Sequence, residues 1–328
     1  MQKTILVTGG AGYIGSHACR ALAAAGFVPV VYDDLSAGRE SAVRWGPLEV
    51  GDLADRARLD EVFEAHRPSA VMHFAARIEV GESVTNPGKY WRNNFVGSLT
   101  LAEAMVAAGC LNLVFSSTCA VYDGHTEADL TEDSPIGPIN AYGGSKRATE
   151  MMLGDFGGAH GLRSVVFRYF NVAGAARGEG IGQSHANPTH IIPRLLIALE
   201  GGVGHMTIHG DDYPTPDGTC IRDYIHVEDL VAAHVAGLER LLAGGEGGVY
   251  NLGTGRGASV REVIEAAGAV VGHLPQIQVG PRREGDAVRL VSGSARATDD
   301  LGWTPKSSDL ETILADAWAW HKSRGWEA

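Results

Sequence analysis

The first fifteen residues constrain this chain more than any other stretch. Thr4-Ile-Leu-Val-Thr-Gly-Gly-Ala-Gly-Tyr-Ile-Gly15 carries a short apolar segment, Ile5 to Val7, into glycines spaced Gly9-x-x-Gly12-x-x-Gly15, and an apolar helical pattern starts after Gly12. Glycines that end a strand and open a helix have separate tasks. Gly9 permits the sharp turn, Gly12 lets backbone approach a pyrophosphate, and Gly15 lets the helix pack close to the strand. The first amides of that helix and the positive end of its dipole then face the phosphates. The spacing alone also fits an ordinary glycine turn, and the residues downstream decide between the two.

Downstream, apolar runs alternate with helical patterns. Strands are expected at Ile5–Thr8, Val28–Tyr32, Ala70–Phe74, Leu113–Ser116 and Ser164–Arg168, and helices at Ile14–Ala25, Arg56–Ala65, Pro87–Ala108 and Ser145–Ala159. Such alternation predicts a parallel sheet covered on both faces. From about Val172 glycine, proline and histidine become frequent and strands short, although a 3.6-residue period with Val231, Val235, Leu238 and Leu242 on one face marks a helix from about Glu228. The expected fold is α/β: a Rossmann-type doubly wound parallel sheet with a smaller mixed α/β C-terminal substrate domain. Residues 1–171 form the first part and 172–328 the second, with a segment around 220–242 returning to the first.

With 328 residues, 45% of them hydrophobic, the chain is long enough for two cores. The net charge of −12 argues against a nucleic-acid surface and requires local basic groups for any anionic ligand. Cys19, Cys110, Cys119 and Cys220 lack paired spacing, which suits a reducing cytoplasm and neither a disulfide framework nor a metal site. No apolar run approaches the roughly 20 residues a bilayer needs, and no charged-then-apolar leader precedes Lys3. The four tryptophans Trp303, Trp318, Trp320 and Trp326 are expected to pack.

In parallel sheets the connections after the strands form the sites. Asp33-Asp34 follow the second strand, and an acid there accepts bonds from adenosine ribose hydroxyls and repels a 2′-phosphate, which favours NAD over NADP. Asp33 is the better candidate of the two. Asp52, in Val50-Gly-Asp-Leu53, has two readings, a contact to the adenine amino group or a cap for the next helix. After the fourth strand come Thr118 and then Asn140-Ala-Tyr-Gly-Gly-Ser-Lys146. Tyr142 and Lys146, four apart, share one face of a helix start. A phenol of pKa about 10 is a poor base at pH 7, but a nearby ammonium and a cationic nicotinamide favour phenolate. Lowering it by about 3 units takes roughly 4 kcal/mol. Such a phenolate takes a proton from a sugar hydroxyl while hydride leaves the same carbon. Thr118 either relays that proton or serves as a strand-end cap.

At this point the chain resembles the extended short-chain dehydrogenase/reductases and, within them, the UDP-glucose 4-epimerase family. The resemblance covers nearly the whole chain. It rests on Val7-Thr-Gly-Gly-Ala-Gly-Tyr-Ile-Gly-Ser-His17, His73-Phe-Ala-Ala76, Val80-Gly-Glu-Ser83, Asn93-Asn94, Tyr142-Gly-Gly-Ser-Lys146 and Arg168-Tyr-Phe-Asn171. It continues in Gly210-Asp-Asp-Tyr-Pro-Thr-Pro-Asp-Gly-Thr219, Arg222-Asp-Tyr-Ile-His-Val227, Tyr250-Asn-Leu-Gly253 and Arg282-Arg-Glu-Gly-Asp286. The opening and the Tyr/Lys pair mark the superfamily; the 211–227 and 282–286 blocks are much narrower.

The resemblance implies a tightly held NAD+, hydride loss from C4 of a UDP-hexose with Tyr142 taking the O4 proton, a turn of the 4-keto sugar about its diphosphate, and return of hydride to the other face. UDP-glucose and UDP-galactose are thereby interconverted. It carries cofactor contacts onto Tyr13, Ile14, Asp33, Asp34, Leu35, Asp52, Leu53, Phe74, Ala75, Ala76, Asn93 and Phe170, besides Thr118, Tyr142 and Lys146. It carries substrate contacts onto Asn171, His209, Arg222, Arg283, Asp286 and Leu290, with one of Arg282 and Arg283 left to solvent. Arginine suits the diphosphate because its fork matches phosphate oxygens. The family's lysine after the Phe–Ala pair is absent, and Arg77 is the cation nearest that place. His209 stands where an aromatic residue lines the uracil pocket; Leu290 stands where a small residue admits N-acetylated sugars and a tyrosine is the other common choice. The long helices Pro87–Ala108 and Ser145–Ala159 are expected to pair with their copies in a homodimer.

Three other readings compete with this one. A 4-epimerase of another UDP-sugar (UDP-GlcNAc, a pentose or a uronate) differs only in the pocket. A 4,6-dehydratase needs an acid and a base beyond the tyrosine; related dehydratases place Asp-Glu straight after the strand-end threonine, where this chain has Cys119 and Ala120. A non-catalytic NAD sensor would be expected to lack Tyr142 or Lys146, and both are present.

Overall fold

The computed structural model describes residues 2–124, 128–184, 188–200, 205–283 and 286–323. Trp326, Glu284 and Gly285 of the sequence motifs lie outside them. The first part of the chain runs β1 (Thr4–Thr8), α1 (Tyr13–Ala24), β2 (Val28–Asp33), β3 (Leu48–Val50), α2 (Arg56–His66) and β4 (Ala70–His73). It continues through α3 (Val80–Thr85), α4 (Pro87–Tyr90), α5 (Gly97–Ala107), β5 (Asn112–Thr118), α6 (Ala141–His160) and β6 (Arg163–Tyr169). Next are β7 (Asn171–Ala173), α7 (Ile191–Leu199), β8 (His205–His209), β9 (Ile221–His226), α8 (Val227–Leu242) and β10 (Gly248–Leu252). The remainder is β11 (Gly257–Ser259), α9 (Val260–Val271), β12 (Gln276–Gly280), β13 (Arg289–Leu290), α10 (Arg296–Leu301) and α11 (Leu310–Lys322).

Seven parallel strands form the main sheet in the order β10-β6-β5-β4-β1-β2-β3. Side chains alternate across it. Ile5 and Val7 of β1 face one core with Leu22 of α1 and Leu230, Leu238 and Leu241 of α8. Leu6 faces the other with Leu59 and Val62 of α2, Leu101 and Met105 of α5, and Leu153 of α6. Each such fully buried side chain contributes about 1.5–3 kcal/mol. A second, smaller body has its own core of Leu195 and Leu196 from α7, Val263 and Ile264 from α9, and Ile313 and Leu314 from α11. Beside it, β11, β9, β13 and β7 form a mixed four-stranded sheet.

The expected doubly wound sheet is therefore present, with three differences of detail. The stretch expected as one helix from Pro87 to Ala108 holds a π-helical turn, Trp91–Val96, between α4 and α5. The wider turn brings both Asn93 and Asn94 side chains to the Arg77 amide, at 3.1 and 2.8 Å, and lets Asn94 donate back to the Arg77 carbonyl at 3.0 Å. Helix α6 begins four residues before Ser145 because Asn140 caps it, its side chain accepting from the Gly143 amide at 2.9 Å. Strands β3 and β10 are not among the expected strands, since Leu48-Glu-Val50 has only three residues and Gly248-Val-Tyr-Asn-Leu252 is too mixed to stand out from a loop. The second of these adds a strand beside β6 after the chain has already visited the smaller body.

Trp303 packs in the main core and donates to the Asp229 carbonyl at 2.8 Å; Trp318 packs in the smaller core, and Trp320 donates to the Gln183 carbonyl at 3.0 Å. All four cysteines are buried thiols. Among the described residues, no helix is long and apolar enough to cross a membrane.

Candidate active site

The candidates gather at the carboxyl ends of β1, β2, β4 and β5, where a parallel sheet opens its crevice. Gly9 has a positive φ of 73°, and a Cβ on it would lie 2.6 Å from the Ala75 amide nitrogen, so the loops after β1 and β4 touch there. A Cβ on Gly15 would lie 2.1 Å from the Gly9 carbonyl oxygen, which is the close helix–strand packing expected of that position. No side chain caps α1, whose N-cap is Gly12, so its first amides remain available to an anion. The Tyr13 hydroxyl is committed to the Gly174 carbonyl at 2.6 Å, which leaves its backbone as the part able to face a phosphate. Ile14 packs against the main core.

Asp33, at the end of β2, accepts from the Ala11 amide at 3.0 Å and the Leu35 amide at 2.9 Å, tying the glycine loop to the next turn. Leu35 has a positive φ of 56°, a conformation rare for a non-glycine residue. Burial pushes the Asp33 carboxyl up from its ordinary value, and the Leu35 and Ala11 amides oppose that. Asp34 accepts from the Ser36 amide at 2.9 Å. Arg77 donates to the Ser36 hydroxyl at 3.0 Å and lies 4.0 Å from Asp34. Of the two readings for Asp52 the cap is removed: Asp55 caps α2 through the Arg58 amide, while Asp52 accepts from the Ala54 amide at 2.9 Å. Leu53 is buried, and the Phe74 and Ala75 amides both donate to the Thr8 carbonyl; Ala76 continues from them into the crevice loop.

Thr118 ends β5 and Tyr142 stands in the first turn of α6, near enough for the threonine hydroxyl to act on the phenol. Gly143 makes that approach possible, because a Cβ on it would lie 2.2 Å from the Ala120 carbonyl oxygen. Thr118 also accepts from the Ala120 amide at 3.1 Å, so the cap and the tyrosine contact coexist. Lys146 is buried, donates to the Ser116 carbonyl at 2.8 Å, and lies 4.9 Å over the Phe115 ring. Burial pulls its ammonium down to about 7, with Glu150 opposing. The phenol departs from expectation in the chain by itself: burial pushes Tyr142 up, Tyr169 adds to this, and the Thr118 hydroxyl only partly offsets it. A desolvated phenol favours its neutral form unless positive charge stands close.

Reasoning from sequence missed several supports. Tyr169 hydrogen-bonds the Ser116 hydroxyl and lies beside Tyr142. Glu150 accepts from Ser117 at 2.5 Å and from Arg168 at 2.9 and 2.6 Å, clamping α6 to β5 and β6 beneath the site. The available signal was position: Tyr169 adjoins Phe170, and Glu150 is four residues past Lys146 on the same helical face.

Three of the substrate candidates, Asn171, Arg222 and Leu290, come from the mixed sheet, while His209 ends β8. Asn171 on β7 pairs in register with Tyr224 on β9, and Leu290 on β13 pairs with Arg222. Leu290 packs on the cluster of Cys119, Val121, Tyr122, Leu130 and Phe170, next to Thr118. Arg222 lies 3.8 Å from Asp286. Of the arginine pair, Arg282 is engaged by Asp212 at 2.7 Å and stacks 4.2 Å over Tyr213. Arg283 is exposed and near enough to His209 to help hold that imidazole below its ordinary value, after burial, which acts most.

A nucleotide-binding sheet, an uncapped glycine-loop helix and a Tyr/Lys/Thr centre at the end of β5 define an oxidoreductase-like site on a Rossmann fold. The sequence profile of the NAD dependent epimerase/dehydratase family matches residues 5–253, and the chain belongs to that family. It is similar to the UDP-glucose 4-epimerase of Rhizobium meliloti (strain 1021), at 50% identity over 98% of each chain. Among solved structures it is similar to the UDP-glucose 4-epimerase of Brucella ovis in complex with NAD, with a TM-score of 0.94 and 46% identity, covering 96% of this chain and 97% of that one. The enzyme of Bifidobacterium longum in complex with NAD+ and UDP matches with a TM-score of 0.92 and 34% identity, over 98% of each chain.

Proposed function

We propose that this chain is an isomerase that interconverts UDP-glucose and UDP-galactose by oxidation and re-reduction at C4. The observation that carries the reading is Thr118 at the end of β5 facing Tyr142 and Lys146 at the start of α6, with Cys119 and Ala120 standing where related dehydratases place their acid and base. The uncapped start of α1, the Asp33 carboxylate at the end of β2 and the Gly12 backbone fit a dinucleotide. NAD+, when bound, supplies a hydride acceptor and donor and a positively charged ring.

Tyr142 takes the O4 proton on oxidation and gives it back on reduction, and Thr118 orients that oxygen and the phenol together. Lys146 and the bound cation favour phenolate against the desolvation that raises it in the chain alone. Arg222 and Arg283 are proposed to hold the diphosphate, with Asn171, Asp286 and His209 around the nucleotide and Leu290 against the hexose. A firm hold on UDP and a loose one on the sugar let either face of C4 reach the same tyrosine. Residues 1–171 with α8 are assigned to NAD and the later residues to the UDP-sugar.

The reading includes a cytoplasmic homodimer. Its four buried thiols suit a reducing compartment. Trp91, Val96 and Met151 are exposed apolar side chains, 40, 45 and 58% accessible, on the helical stretches expected to pair.

Incubation with UDP-galactose, without added reductant, should yield UDP-glucose. Tyr142→Phe should lower turnover by about 10²–10⁴-fold while NAD stays bound. Absence of conversion by protein that carries NAD would refute the reading; UDP-GlcNAc in the same assay reports what Leu290 admits.

A further inference from the structure

Asp223 adjoins Arg222 on β9 and is fully buried. Its carboxylate accepts from the Thr254 amide at 2.9 and 3.0 Å, the Thr254 hydroxyl at 2.6 Å, the Gly255 amide at 3.0 Å and the Ser292 amide at 3.1 Å. Every one of these partners is a neutral donor, three of them backbone, which is how proteins cradle a bound anion; here the anion belongs to the chain. Burial pushes this carboxyl up, and the same donors oppose it. Gly253 completes the cradle, since a Cβ on it would lie 2.5 Å from the Asp223 Oδ2.

The donors arrive from two other segments. Thr254 and Gly255 sit in the turn that leaves β10, an edge strand of the main sheet, and enters β11. Ser292 lies two residues past Leu290, in the segment leaving β13, where the Leu130 amide also donates to the Val291 carbonyl and the Gly293 amide donates to the Leu130 carbonyl. One carboxylate therefore joins the strand of Arg222, the exit from the strand of Leu290, and the main sheet. Leu290 in turn packs on Cys119 and Phe170 beside Thr118.

We propose that Asp223 is a positioning residue for the UDP-sugar: by gathering Thr254, Gly255 and Ser292 it registers Arg222 and Leu290 on the sheet that carries Thr118. The role rests on the proposed UDP-sugar activity. Only an acceptor on both oxygens serves, because an amide of the same shape turns an N–H₂ toward N–H donors. Tyr142, Lys146 and Thr118 are held by α6 and β5, which the cradle does not touch, so the chemical step itself is spared.

The test is Asp223→Asn, purified with its NAD, with turnover of UDP-galactose measured alongside calorimetric titration of UDP. KM and the Kd for UDP should rise about tenfold or more, with kcat within about threefold of the parent. An unchanged KM and Kd, or a fall in kcat at unchanged KM, overturns the proposal. Should Asp223→Asn fail to give folded, NAD-containing protein, Thr254→Val removes the hydroxyl donor to Asp223, with the bond that hydroxyl accepts from the Arg256 amide at 3.1 Å, and should raise KM about threefold; an unchanged KM there overturns it equally. If the parent protein turns over no UDP-sugar, the reading of function has failed, whereas the comparison of UDP affinities still decides the role of Asp223.

Discussion

Lys146 shows how burial sets the chemistry of a single side chain. With its ammonium pulled down to about 7 from an ordinary 10.5, the folded chain holds this proton less tightly than the unfolded chain between those two values. In that window the unfolded state binds more protons, so this group makes stability rise with pH. Below about 7 both states are protonated and the full cost of the buried cation is felt. Lys146→Met should therefore stabilise NAD-depleted protein most at or below about pH 7, with the gain shrinking toward about pH 10. Urea midpoints of the two proteins across that range check it, and a gain that does not shrink contradicts it. The residue pair was legible in sequence because Tyr-x-x-x-Lys, common by itself, follows a strand end bearing Ser and Thr in a chain that opens with the glycine loop. The state of the phenol was not, since the expected lowering reckoned the cations and left out desolvation, which acts first on Tyr142. Arg282 was equally opaque: only the fold brings Asp212 and the Tyr213 ring to it.

Among the elements, the π-helical turn at Trp91–Val96 does what a regular helix there cannot. It offers two asparagine side chains to one backbone amide, that of Arg77, and secures the loop after β4 on which Phe74 and Ala75 sit. Asn94 also donates to the Ser145 hydroxyl at 3.2 Å, so the same turn reaches α6. Asn94→Ala should cost about 1–3 kcal/mol, because the Arg77 carbonyl loses its donor and the Arg77 amide keeps only Asn93, and should loosen NAD. Thermal melting and the NAD content of purified protein test both parts. Elements of the main sheet were readable where an apolar run ended in glycine or an acid, as in β1 and β2. The π turn was not, because Trp-Arg-Asn-Asn-Phe-Val continues a helical pattern and the reason to widen it, Arg77, lies on another segment. Strand β10 was hidden for a similar reason: its place beside β6 is a property of topology, not of five residues.

At the scale of the whole molecule, the apolar side chains left on α6 and the 87–107 stretch are the features that the homodimer reading uses. Trp91 lies against Gly144, a Cβ there being 3.5 Å from its ring, and Met151 is seven residues further along the same face of α6. The double change Trp91→Glu with Met151→Glu should shift sedimentation from dimer to monomer, because two buried charges cost more than a modest apolar interface returns. A parent protein that sediments as a monomer at all concentrations removes the reading. A change of composition near Val172 and a segment around 220–242 returning to the first part were both legible in the sequence, and α8 does pack in the main core; the second return, of β10 beside β6, was not.

That second return has a consequence for how the molecule is made. Strand β6 gains its outer neighbour only when Leu252 has been synthesised, long after α7 and β8 have emerged. Until then a nascent chain on the ribosome presents the β6 edge bare, with backbone groups ready to pair with a stranger. The stretch of translation between Tyr169 and Leu252, more than its beginning or its end, is thus when this edge is open to misassembly.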